Sequence, residues 1–480
     1  MLPEWTVVGF SGHRSLADPA GTATRIGAML DELMATHGPL VATSSLAKGA
    51  DAIFVKAAAA RGIPILLALP FPPERFQRDF EPDEWRDVQP YLAKAAQVEI
   101  VRGAESDDEA YMETGIRIVD DADVLVAVWD GKATNGLGGT GDVVAYARAM
   151  GKPLRWLNPE DNRVVSERSE AVPVRSTSGS STRAGGLAES LRNGPHQMVE
   201  RHFAELDNAA SVGAPKVRHL IQRIVWLQLG ASLLALVGLT FEIRGAPAYA
   251  AALAEVGVLG LAFALTAMHH HRHAEWMKTR LEAEICRSFL ATWSMRGRIS
   301  RPPQLAVQGF EPFTRKLRLM QRFDPEPPPP LDRACAMYLH DRIDDQIEYF
   351  TRRSEGSRNA YRQLRYWAMF ATAIAAVCAA THVVLLFAHV EGSALTGTIS
   401  LSLVMPLVSA ALLSLVLTHE HARRAARYRE MVEFLRRAAQ QLGAVHTWNG
   451  LTRVALETED ALLAEAVEWH SYRRFASDPH

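Results

Sequence analysis

The sequence lacks several features that would narrow its function early. Only three cysteines occur in 480 residues, Cys286, Cys335 and Cys378. They lie far apart in the chain, so their spacing gives no metal-binding pair, no redox pair and no disulfide framework. The formal net charge is −2, which carries no overall nucleic-acid signature. Met1 to Trp5 lack the basic segment and apolar run of a signal peptide, and none is expected. No Ser–His–Asp arrangement can be assembled from the spacing, so no catalytic residue is assigned.

Charge is also scarce in four long stretches, about Val225–Ile243, Ala250–Met268, Trp367–His389 and Thr396–Thr418. Each is close to the ~20 apolar residues that span a bilayer core, where a helix satisfies its own backbone. Lys216, Arg218 and Arg223 precede the first pair, and Arg272, Lys278 and Arg280 follow it. Arg358, Arg362 and Arg365 precede the second, and Arg423, Arg424, Arg427 and Arg429 follow it. The connecting turns hold only Arg244 in the first pair and no Lys or Arg in the second. Positive charge stays cytoplasmic. The expectation is a multi-pass protein of the inner (cytoplasmic) membrane, with two hairpins dipping in from the cytosol and both termini cytosolic.

The hairpins read as copies. Arg280, Glu284 and Arg287 follow the first at the offsets at which Arg429, Glu433 and Arg436 follow the second. Inside the spans, Glu255 and His382 are the pore candidates, with snorkelling and an interhelical hydrogen bond as their alternatives. Pro406 is a candidate kink. His269, His270, His271 and His273 sit at the basic membrane edge. They read as an interfacial patch, and no metal site is assigned.

Residues 1–158 alternate apolar strand runs with helix patterns. Strands are expected at Thr6–Phe10, Leu40–Thr43, Ile65–Leu69, Val98–Val101, Val124–Trp129 and Leu154–Leu157, and helices at Ala47–Arg61 and Val143–Met150. Apolar strands separated by helices imply a doubly wound parallel sheet, an α/β Rossmann-like domain. Ligands bind such sheets beyond the carboxyl ends of the strands. Three loops there carry the candidate binding residues. The first holds Gly12, His13 and Arg14, where glycine admits a close backbone and arginine can fork onto phosphate. The second holds Ser44, Ser45, Lys48, Gly49 and Asp51, at a helix start that favours an anion. The third holds Asp130, Gly138, Gly139, Thr140 and Asp142, a glycine-rich turn able to cradle phosphate.

Val8-Gly9-Phe10-Ser11-Gly12-His13-Arg14, Ser45-Leu46-Ala47-Lys48-Gly49-Ala50-Asp51, Leu69-Pro70-Phe71-Pro72 and Gly138-Gly139-Thr140 with Val143 and Tyr146 resemble the SLOG superfamily. The resemblance spans most of 1–158. It implies a Rossmann-like domain that binds a nucleotide or nucleotide-derived ligand, of cyclic-nucleotide or ADP-ribose type, and no other cofactor. In the LOG phosphoribohydrolases of that superfamily a glycine-glycine-x-glycine-threonine-x-glutamate pattern carries catalysis. Here Gly138-Gly139-Thr140-Gly141-Asp142 differs in spacing and has Asp142 in place of the glutamate. That favours a sensor over a hydrolase.

Residues 159–195 are rich in Ser, Gly, Arg and Thr and read as a flexible linker. The first hairpin unit covers 196–295, a Pro-rich extended connector 296–330, and the second unit 331–480, with long cytosolic helices. Tyr338, Leu339, Ile343, Ile347 and Phe350 form one apolar stripe that calls for a partner helix. Leu451–Trp469 reads as an acidic amphipathic helix. Tyr338, Leu339, Arg342, Gln346 and Tyr349, then Tyr361 and Arg365 before a spanning pair, resemble SLATT domains. The resemblance covers about 331–440 well and 215–295 less well. It implies a two-helix membrane effector, associated with SLOG sensors and nucleotide-generating enzymes in prokaryotic defence. The resulting expectation is a homo-oligomeric nucleotide sensor coupled to a membrane-perturbing effector, its partners being lipid, the ligand and a signal-producing enzyme. A membrane-tethered hydrolase and a ligand-independent channel or scaffold are the alternatives.

Overall fold

A computed structural model of the protein describes residues 2–101, 104–134, 136–168, 194–240, 245–296, 309–324, 326–389, 392–419 and 421–477. The chain divides into two compact units, Met1–His202 with Ala306–Pro328, and Phe203–Leu305 with Pro329–His480.

The first unit is built on a seven-stranded sheet. Its strands are β1 (Thr6–Gly12), β2 (Leu40–Ser44), β3 (Ile65–Leu69), β4 (Gln97–Ile100), β5 (Val124–Val128), β6 (Leu154–Leu157) and β7 (Val164–Glu167), in the order β4-β3-β2-β1-β5-β6-β7. All pairings are parallel except β6–β7. Every residue of β2, β3 and β5 is buried, which is why these strands are continuous apolar runs. Helices α1 (Pro19–His37) and α2 (Ala50–Ala60) cover one face through Ile26, Leu30 and Phe54, and α3 (Pro82–Lys94) adds Trp85 to the same core. The other face is covered by α4 (Asp107–Asp121) and α5 (Thr140–Ala149) through Ile118, Val119 and Val144. Asp18 caps α1 by accepting from the Gly21 N–H at 2.9 Å, and Pro19 presets its first turn.

The doubly wound α/β sheet expected from the sequence is present. Three elements were not anticipated. Strand β7 lies inside the expected linker and pairs antiparallel with β6, Trp156 opposite Val165; residues 169–193 of that linker lie outside the described residues. Helices α3 and α4 are two more. The connector also needs correction, because it is not extended throughout. It carries a helix, α6 (Glu311–Phe323), that packs on the α/β unit. Arg315 pairs with Asp123 at 2.7 Å, Arg318 with Asp121 at 3.5 Å, and Arg322 with both Asp121 and Glu99. The Lys316 ammonium lies 5.5 Å from the Trp5 ring centroid, and Leu317, Met320 and Phe323 are buried. Burial pulls the Arg322 guanidinium down to about 10.

The remaining helices are α7 (Pro195–Thr240), α8 (Ala246–Ala291), α9 (Leu331–Phe387), α10 (Ser393–His419), α11 (His421–Gly443) and α12 (Trp448–Ser477). Four of them, α7 to α10, are long and apolar enough to cross a bilayer. Large apolar side chains stand exposed along them, among them Phe263 at 79% and Phe387 at 83%. Outward apolar faces of this extent suit lipid.

Near the ends of the first pair, Trp276 Nε1 donates to the Ala210 carbonyl at 2.7 Å, and Asp207 receives Arg287 at 2.8 Å. Arg280 and Arg287 both pair with Glu284, at 2.6 and 3.0 Å. Glu433 and Arg436 after the second pair are exposed. The repeated Arg–Glu–Arg spacing therefore does not repeat this cluster.

In the second pair α9 and α10 close on small residues. Ala368, Ala371 and Ala375 are buried, and the Ser409 hydroxyl donates to the Ala368 carbonyl at 3.0 Å. Beyond the membrane stretch, α9 meets α11 and α12. Tyr338, Ile343 and Phe350 pack against Leu435, Leu442, Leu451 and Val454, so the apolar stripe finds its partner helices within the chain. A wider π turn, Leu339–Asp344, interrupts α9 there. On it, Arg342 is 3% exposed and forks onto Glu459 of α12, which is 0% exposed, at 2.8 and 2.6 Å. The Tyr338 hydroxyl also donates to Glu459, at 3.0 Å.

Candidate functional site

Chain order and sheet order diverge at β1. From β1 the sheet extends to β2, β3 and β4 on one side and to β5, β6 and β7 on the other. The loops leaving β1 and β5 must part at their carboxyl ends, which opens a crevice. A cavity of about 750 Å³ lies there. Volumes of this order hold a nucleotide-sized molecule.

Nine of the candidate binding residues line it: Gly12, His13, Arg14, Ser45, Asp51, Asp130, Gly138, Gly139 and Thr140. The sequence did not single out Asp108 and Tyr111 of α4, Lys132 and Thr134 after β5, or Glu160, which line it too. The Arg14 guanidinium lies over the Tyr111 ring, 4.5 Å from its centroid. Phe71 meets that ring edge-on at 5.7 Å, and the Tyr111 hydroxyl donates to Asp79. Burial, aided by Asp79, pushes the Tyr111 phenol well above its usual range. Tyr111 is thereby a fixed, neutral platform that holds Arg14 at the cavity wall.

Other candidates serve the loops themselves. Asp51 is 3% exposed. One of its oxygens accepts from the Ser44 and Ser45 hydroxyls, at 3.0 and 2.9 Å, and the other from the Gly12 N–H at 3.0 Å. It binds the ends of β1 and β2 together. Gly49, at φ +87°, brings α2 so close that a Cβ there would sit 2.4 Å from the Arg14 carbonyl oxygen. Asp130 offers its N–H to His13 Nε2 at 3.0 Å, which ties the first loop to the third. Asp142 does not line the cavity; it accepts from the Gly138 N–H at 3.0 Å and steadies the glycine turn. Ser44, Lys48 and Gly49 are also absent from the lining. The first turn of α5, with Gly139, Thr140 and Gly141, faces the cavity. The Asp142 N–H in this turn donates to the Thr134 hydroxyl at 3.1 Å, and the Thr140 and Gly141 N–H groups ahead of it suit an anion.

Burial raises the Asp51 carboxyl to about 6 against the three hydrogen bonds it accepts. The folded protein therefore holds this proton more tightly than the unfolded chain does. The stabilisation is full below about pH 4 and is lost as pH rises through about 6, about 3 kcal/mol in all for a shift of two units. Asp51→Asn is expected to remove that dependence. Its stability relative to the parent should rise by about 3 kcal/mol between pH 4 and pH 7 in denaturant titrations. A difference that stays constant over this range would show Asp51 to be ionised throughout.

The membrane candidates are placed as follows. His382 Nδ1 lies 3.1 Å from the Thr398 hydroxyl, so it links α9 to α10. Glu255 is half-buried on α8. The His269 and His273 rings share a helix face, 5.6 Å apart, and His273 packs edge-on against Trp276. The side chains of His270 and His271 lie outside the described residues. Pro406 leaves α10 unbroken from Ser393 to His419.

Residues 338–469 match the family of the SMODS and SLOG-associating 2TM effector domain 1. The match begins at Tyr338, takes in the α9–α10 pair, and ends in α12 beyond Glu459. No curated protein and no solved structure shows significant similarity to the chain.

Proposed function

We propose that this chain is a membrane effector whose α/β unit senses a nucleotide-derived ligand and whose paired helices then breach the membrane. The observation that carries the reading is the presence, in one chain, of a cavity at the strand switch point and a stretch matching a two-helix membrane effector. The cavity offers what a phosphorylated nucleoside needs. Arg14 supplies a cation, Lys132 a second one that Glu160 and Asp130 share, the start of α5 supplies N–H groups, and Tyr111 supplies an aromatic ring. Engagement of Asp142 with Gly138 supports binding over hydrolysis. The family name pairs such effectors with SLOG domains, which agrees with the resemblance of residues 1–158. In a cell under phage attack, loss of the membrane gradients would stop replication.

Helix α4 supplies a path for the signal. Asp108 and Tyr111 near its start line the cavity, and Asp121 at its end holds Arg318 and Arg322 of α6. The chain runs from α6 directly into α9. Shifting a population from mostly closed to mostly open takes about 5 kcal/mol of differential binding. Several sensors in a homo-oligomer supply that more readily than one.

The test is leakage of dye from liposomes carrying the purified chain, titrated with cyclic nucleotides and ADP-ribose-type compounds. Leakage should be absent without ligand and rise steeply with the cognate one. Arg14→Ala should weaken binding by about 1.5–3 kcal/mol, the range for hydrogen bonds to charged groups. Full ligand occupancy with intact liposomes would refute the effector reading. Steady release of base or phosphate would assign the cavity to a hydrolase.

A further inference from the structure

Where α9 leaves its polar half and enters its apolar half, three arginines recur on one face: Arg358, Arg362 and Arg365. Arg429 of α11 approaches the same face. Together with Tyr361 and Tyr366 these residues enclose a cavity of about 430 Å³. No carboxylate is among the residues that line it. The arrangement differs from three other arginine groups among the described residues. Arg280 and Arg287 share Glu284, Arg318 and Arg322 share Asp121, and Arg342 has Glu459. Four guanidinium groups around one cavity repel each other, and an anion among them relieves that repulsion.

The depth of the cavity identifies the anion's source. Tyr366, Trp367 and Phe370 are exposed by 63%, 54% and 48%, and they stack on one another directly beside it. Exposed aromatic side chains at the end of a span mark the headgroup level of a bilayer. Met369 lines the cavity on the side of the apolar span. A ligand there meets guanidinium groups at one end and apolar surface at the other.

We propose that this cavity is a site for an anionic phospholipid, its phosphate held by Arg358, Arg362, Arg365 and Arg429 and its acyl chains running along α9 past Met369. Bound lipid would clamp α11 to α9 at the membrane edge and make the effector responsive to the lipid composition around it. The site is separate from the α/β cavity, so it stands whether or not that cavity takes a nucleotide.

Native mass spectrometry of the full chain in detergent tests it, with phosphatidylglycerol, phosphatidylcholine and inorganic phosphate as probes. The parent should retain phosphatidylglycerol and release phosphatidylcholine. Arg362→Gln with Arg429→Gln should weaken phosphatidylglycerol retention about thirtyfold, the effect of two arginines near a charged membrane surface. Arg352→Gln with Arg353→Gln removes the same charge outside the cavity and should change retention less than about threefold. Equal retention of both lipids by the parent would overturn the proposal, and this comparison needs no variant. Equal loss in the two double variants would reduce the effect to general charge. Displacement of phosphatidylglycerol by inorganic phosphate at matched concentration would make the site one for a soluble anion and overturn the lipid assignment.

Discussion

Glu459→Ala is expected to destabilise the helical unit by about 3–5 kcal/mol, because it strands a buried charge. Arg342 is 3% exposed and its fork is committed to Glu459 through two hydrogen bonds, at 2.8 and 2.6 Å. Removing the carboxylate leaves the guanidinium without water and without its counterion. The Tyr338 hydroxyl loses an acceptor at the same moment. The π turn that presents Arg342 makes one wider turn of helix, and its reward is this contact. Thermal unfolding of the detergent-solubilised chain reads the loss, and protease cleavage in α12 should accelerate. Arg342→Met with Glu459→Leu should recover most of the stability, since an apolar pair of similar volume often replaces a buried ion pair without loss. A single variant as stable as the parent would mean that the pair is hydrated.

Arg322→Glu should release α6 from the α/β unit. The change sets a third carboxylate against Asp121 and Glu99, both of which Arg322 now contacts. The cost to the docked state is expected to be about 3–5 kcal/mol or more, the scale for breaking a buried pair. Asp121 keeps Arg117 of its own helix at 3.4 Å, so the sheet and α4 should stay folded. Two measurements separate docking from ligand binding. Protease cleavage within 309–324 should become fast, while affinity for the cognate nucleotide should change by less than about threefold, because Asp121 and Glu99, the carboxylates that Arg322 pairs with, do not line the cavity. Ligand-triggered leakage should then fail at full occupancy. Unchanged protection of α6 would remove the docking account, and normal leakage with α6 released would remove its part in the signal.

The sheet was legible because its central strands are buried on both sides. Val124–Val128 and Ile65–Leu69 are apolar at every position, and their shortness and the breakers that follow them, Asp130-Gly131 and Pro70, mark them as strands. Strand β7 escaped because Val164–Glu167 alternates at an edge and lies in a polar stretch. Helix α6 escaped for a different reason. Its many basic residues and the prolines near it resemble a solvated linker, and its signal was the buried Leu317, Met320 and Phe323 at helical spacing. In the cavity, Gly12 and Arg14 could be found because they stand at or just past the end of a strand, and Gly138 because its glycine run leads into a helix. Tyr111 and Asp108 could not, since they come from a helix that only the folded sheet brings beside those loops. Asp51 and Asp142 carry the residue type of a ligand contact, yet local N–H and hydroxyl donors claim them. Sequence offers no way to tell those uses apart.

The docking of Glu311–Phe323 also imposes an order on the making of the protein. The sheet is complete once residue 167 has left the ribosome, but the helix that covers Asp121, Asp123 and Glu99 is synthesised only after the first two spans. At about 5–20 residues per second the interval lasts roughly 8–30 s. During it the nascent unit shows the face with Asp121, Asp123 and Glu99 without the arginines of α6. The face closes when α6 arrives from a chain whose first hairpin is already being delivered to the bilayer. On the proposed reading, the α/β unit gains its link to the second pair of helices only after the first pair has begun to insert, so a chain that stalls before the membrane would not answer a ligand.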